Sequence, residues 1–89
     1  MNEARKDQLQ KIQNELDDIL ERLEEIRIAE VEDRENMLAR VEGDNNGRVP
    51  DRFYDTDEYK ESEEAADHLD SAMHRVEWAR DHVYTIVTR

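Results

Sequence analysis

The chain has 89 residues, a net charge of -12, 43% charged and 36% hydrophobic residues, no cysteine, two glycines and one proline. That length allows one domain, and the lack of cysteine excludes both a disulfide framework and a thiolate metal site. The acidic balance argues against direct binding to nucleic acid or to an anionic membrane, and leaves basic proteins, divalent cations or simple solubility as its use.

Low hydrophobicity with high net charge also opposes collapse, so periodicity has to decide between a fold and a disordered chain. It favours helix. The first helical pattern runs over residues 2–42. Leu9, Ile12, Leu16, Ile19, Leu23 and Ile26 alternate spacings of three and four, the pattern of a coiled-coil seam. Leu20 widens the stripe, and Met37, Leu38 and Val41 resume it after an interruption at Arg27, Glu30 and Arg34. Glu30 and Arg34 are spaced to pair across one helical turn.

Residues 43–55 read as a loop, with Gly43 as the expected helix C-cap and "DNNG" as strong turn chemistry. Pro50 prevents one continuous rod. The loop has calcium-like ingredients without the EF-hand order, because Gly47 stands fourth from Asp44 rather than sixth. Val49, Phe53 and Tyr54 are expected to fold back over the end of the helices. The second helix is expected over residues 56–88, with Asp55 as N-cap and Glu58 completing a capping box. Its seam is Ala65, Leu69, Ala72, Val76, Ala79, Val83 and Ile86, flanked by Ala66, Met73 and Val87, and the alanines allow another helix to approach closely.

Two helices of similar length joined by a short loop predict an all-α fold, an antiparallel helical hairpin in a single domain, 1–89. One hairpin buries only a strip of each helix, so the further expectation is a homodimer that forms a four-helix bundle. Charge is unevenly spread. Residues 15–42 carry a net -7 and residues 56–72 a net -6, while 1–14 and 73–89 each carry +1. A hairpin places the two acidic segments side by side.

Two candidate partner-binding surfaces follow. Glu21, Glu24, Glu25, Glu63 and Glu64 are expected to meet a basic protein surface, in the manner of a nucleic-acid mimic, since DNA presents one charge per ~1.7 Å of axis. His74, Trp78 and His82 lie away from the second seam. Tryptophan there suits a binding anchor, because it joins a large apolar area to a polar N–H. His74 and His82 are ~12 Å apart along a helix, too far to share an ion, so no metal site is expected. "ELDDIL" and "SEEAAD" each place carboxylates one turn apart, an arrangement that resembles in outline the magnesium sites of all-α nucleotide pyrophosphohydrolases. Those enzymes carry a denser glutamate cluster, so a metal-dependent hydrolase is the third reading. No catalytic residue, cofactor or nucleophile is expected.

The runs "LDDILERLEEIR", "ENML" and "ESEEAADHLDSAMHRVEWARDHV" resemble small acidic helical-hairpin proteins encoded by bacteriophages and bacterial mobile elements. Those proteins share a glutamate-rich helix, an asparagine–methionine near its end, a polar loop and a second helix with repeated alanines. The resemblance implies a genomic setting in which small acidic proteins block host defence, and it implies no chemistry. The leading expectation is a non-catalytic, cytoplasmic, acidic protein-binding module, an inhibitor of a host nucleic-acid-handling or defence protein. The alternative is a structural or assembly protein that acts through homodimerisation. No apolar run reaches the ~20 residues that span a bilayer, and the N-terminus has no signal-peptide core.

Overall fold

The computed structural model describes all 89 residues and shows an all-α, two-helix hairpin. Helix α1 spans Glu3–Asp44 and α2 spans Asp57–Val87, with a short 3-10 helix, Asp51–Asp55, between them. No helix is long and apolar enough to cross a membrane.

The ends of each element have local causes. Asn2 caps α1: its Oδ1 accepts the Arg5 N–H at 2.9 Å, and Glu3 in the first turn opposes the helix dipole. At the other end the structure departs from the expected stop. Gly43 remains helical and α1 runs on to Asp44. The left-handed positions are Asn46 (φ 56°) and Gly47 (φ 82°), residue types that tolerate that region. The Gly47 N–H then reaches back to the Glu42 carbonyl at 2.8 Å, and Asn45 Nδ2 donates to the Val41 carbonyl at 2.8 Å. The start of α2 is also corrected. Thr56, not Asp55, is the N-cap: its Oγ1 accepts the Tyr59 N–H at 3.3 Å and donates to the Phe53 carbonyl at 2.7 Å. Asp55 is held in the preceding 3-10 helix, and Asp57 and Glu58 supply the negative first turn.

Contacts divide the chain into two compact units, one of Met1–Glu25 with Ser71–Arg89 and the other of Ile26–Asp70. In the first unit Leu20 is the most buried apolar residue, at 9% exposure. Leu9, Gln13, Leu16 and Leu23 are half-buried beside it, as are Met73, Val76, Arg80, Val83 and Val87 of α2. Arg80 Nη1 lies 3.4 Å from Asp17 Oδ1, and Lys6 Nζ donates to the Arg89 carbonyl at 2.8 Å. These two contacts set the antiparallel register of the unit.

In the second unit Ala66 and Ser62 are buried. Arg27, Glu30, Val31, Arg34, Met37, Leu38 and Val41 of α1 and Tyr59, Leu69 and Asp70 of α2 are half-buried. The ion pair at the seam's interruption joins Arg27 to Asp70, rather than Glu30 to Arg34. Long arginine stems cover apolar surface while their heads find charge. Phe53, Tyr54 and Tyr59 form an edge-to-face cluster with centroids 5.0–6.3 Å apart, and Phe53 lines a cleft with Met37, Val41 and Glu58.

The buried Ser62 hydroxyl has no hydrogen-bond partner. Its desolvation is uncompensated, and serine is a poorer helix former than alanine. Ser62→Ala is therefore expected to raise stability by about 1 kcal/mol, read as a higher urea midpoint with an unchanged slope. A lower midpoint would show that the hydroxyl is satisfied in solution.

Each expected seam separates into two faces. Leu9, Leu16 and Leu23 belong equally to a stripe with Ile12, Ile19 and Ile26 and to one with Gln13, Leu20 and Arg27. The structure turns the second set inward and leaves Ile12, Ile19 and Ile26 at 42%, 40% and 55% exposure. The far end of α1 favours that choice. The inward spacing continues through Arg34 to Val41, whereas the isoleucine spacing runs into Asp33 and Arg40, which are exposed. In α2, Leu69, Val76 and Val83 face inward with Ala66, Met73 and Arg80, and Ala79 and Ile86 are exposed.

Candidate functional site

An open groove of about 400 Å³ in the first unit is lined by Leu20, Glu21, Glu24, Glu25, Met73, Glu77 and Arg80. Leu20 and Met73 stand at inward positions of the two helices and form its apolar floor. Glu21 stands one helical turn from both Glu24 and Glu25, so the three carboxylates stack along one side of α1. Glu77 stands one turn from both Met73 and Arg80 on α2 and supplies the opposite wall.

Arg80 closes one end. Partial desolvation works against its charge, but hydrogen bonds to Asp17 and Asp81 outweigh this and move its pKa above the ordinary arginine value. Both carboxylates lie 3.4 Å from its guanidinium. The cation is thus engaged outside the groove, and the ion pairs of this unit do not include Glu21, Glu24, Glu25 or Glu77. Like charges one turn apart repel by a few tenths of a kcal/mol, a cost that an incoming cation would relieve. Chemically, the groove matches a lysine or arginine side chain, its stem over Leu20 and Met73 and its head among carboxylates.

The other expected contact residues are distributed differently. Glu63 and Glu64 line a shallow cleft of the second unit with Lys60 and Asp67. That unit carries a net -9, from fifteen acids and six bases over residues 26–70. Trp78 is 69% exposed and meets the His82 ring edge-on at 4.6 Å between centroids. His74 is exposed on the same helix. None of these three lines the acidic groove, so Trp78 and His82 make a patch of their own. No three His, Asp or Glu side chains gather closely enough to hold a metal ion.

Sequence reasoning found Glu21, Glu24 and Glu25 but missed Met73, Glu77 and Arg80 as their companions. The spacing of Glu77 from Met73 and Arg80 was visible. Their position opposite the α1 glutamates depends on the Asp17–Arg80 register, which no local pattern specifies. Comparison with protein-family models, with curated proteins and with solved structures gave no match to this chain.

Proposed function

We propose that this protein is a non-catalytic acidic binding module that occupies a basic surface on another protein. The observation that carries this reading is the groove with an apolar floor at Leu20 and Met73 and free carboxylates at Glu21, Glu24, Glu25 and Glu77. A purely solubilising surface has no need of a preformed apolar floor between its charges. The net -9 over residues 26–70 adds long-range attraction for the same class of partner. Proteins that handle nucleic acid present basic surfaces of this kind. With the resemblance to phage and mobile-element hairpins, the proposed target is a host nucleic-acid-handling or defence protein, met in the cytoplasm.

The test is capture from a bacterial lysate with the wild-type chain as bait, followed by competition. A basic protein that is shed at high salt and displaced by added duplex DNA or RNA supports the reading. A retained protein indifferent to salt and to nucleic acid overturns it.

A second reading, a structural protein that works through homodimerisation into a four-helix bundle, is favoured by one observation. Ile12 and Ile19 remain 42% and 40% exposed although the pattern marks them as seam residues.

A further inference from the structure

We infer that the first unit carries a two-fold interface for a second copy of this chain, on the flank formed by Ile12 and Ile19 of α1 and Ala79 and Ile86 of α2. This rests on the homodimer reading and is independent of the acidic groove. Each of these residues precedes by one position an inward-facing residue of its helix, namely Gln13, Leu20, Arg80 and Val87. They therefore lie on the same side of the antiparallel pair, since the Asp17–Arg80 contact sets α1 and α2 at matched heights. The groove residues Glu24 and Glu77 each follow an inward position, Leu23 and Val76, and so occupy the opposite side. One flank carries the isoleucines, with Glu15, Arg22, Arg75 and His82 among them, and the other carries the carboxylates of the groove.

The occupant that fits the isoleucine flank is the flank itself. A two-fold axis through Ile19 and Ala79 sets α1 antiparallel against α1 of the second copy, and α2 against its α2. Ile86 then falls against Ala72 of the second copy, large against small. Glu15 and Arg22 line one surface depression with Asp18 and Ile19; Asp18, one turn from Arg22, makes no ion pair with it, and Glu15, seven residues away, cannot reach it within one helix. The same axis brings Glu15 of one copy to Arg22 of the other, twice. The alternative face-to-face arrangement, α1 on α2 of the second copy, places Arg22 against Arg75 instead and gains no such pair.

Sedimentation equilibrium on the full chain tests this. The expected mass is twice the 10.6 kDa of one chain. A wild-type mass of 10.6 kDa at every concentration overturns the homodimer reading itself. Glu15→Arg and Arg22→Glu should each weaken association about tenfold, and mixing the two variants should restore it, because each then supplies the other's missing charge. These exposed positions lie outside the hairpin seam, so the exchange does not depend on a variant that fails to fold. A wild-type dimer whose single variants associate normally, or whose mixture gains nothing, overturns the assigned axis while leaving dimerisation intact. Ile12→Lys with Ile19→Lys should dissociate the dimer, and a persisting dimer would place the interface elsewhere.

Discussion

Leu20→Asp should abolish the helical circular dichroism of the chain at room temperature, whereas Ile19→Asp, its immediate neighbour, should retain most of it. Leu20 is 9% exposed and Ile19 is 40% exposed. Removing the leucine forfeits about 2–3 kcal/mol of burial. Placing a carboxylate between the helices adds a desolvation penalty of similar size. A scaffold this small holds only about 3–5 kcal/mol in reserve, so one substitution exhausts it. Equal loss of helicity in the two variants would show that both residues are buried in solution. Equal tolerance would place the seam elsewhere.

The second large effect concerns binding. Reversing Glu21, Glu24 and Glu25 together to lysine should lower affinity for the captured basic partner by at least about tenfold, if each charge contributes ~0.5 kcal/mol or more. The remaining affinity should depend less steeply on salt. Helicity should survive, since all but Glu24 are exposed and Glu24 is half-buried at the rim. Trp78→Ala provides the contrast. Its side chain is 69% exposed and outside the groove, so the fold should be unchanged. Partner binding lost in that variant alone would move the contact surface to the Trp78–His82 patch and away from the glutamates. Unchanged binding in the triple variant would remove the groove from the proposed function.

Helical periodicity made the hairpin legible, and composition excluded a disulfide framework and a thiolate site. What periodicity could not resolve was which of two overlapping stripes faced inward. Leu9, Leu16 and Leu23 serve both stripes of α1, and Leu69, Val76 and Val83 serve both stripes of α2. The decision rests on contacts between residues distant in sequence, Asp17 with Arg80 and Arg27 with Asp70. Helix ends failed for a different reason. Gly43 and Asp55 carry good capping chemistry, but Asn46 with Gly47 and then Thr56 offered equivalent chemistry a few residues on. The glutamates of the groove stood out by charge, while its floor and far wall came from the other helix and were invisible until the register was known.

The position of Trp78 has a spectroscopic consequence. It is the only indole in the chain, it stands on the outer face of α2, and its ring meets the edge of the His82 imidazole. Indole emission depends on how far water reaches the ring, and this ring is 69% exposed, so the fluorescence of the native protein reports on what covers the patch. A molecule that settles over the patch would change the same signal by excluding water from the indole, whereas one confined to the acidic flank would leave it nearly constant. The chain thus contains an intrinsic optical label that distinguishes its two outer surfaces without any added dye.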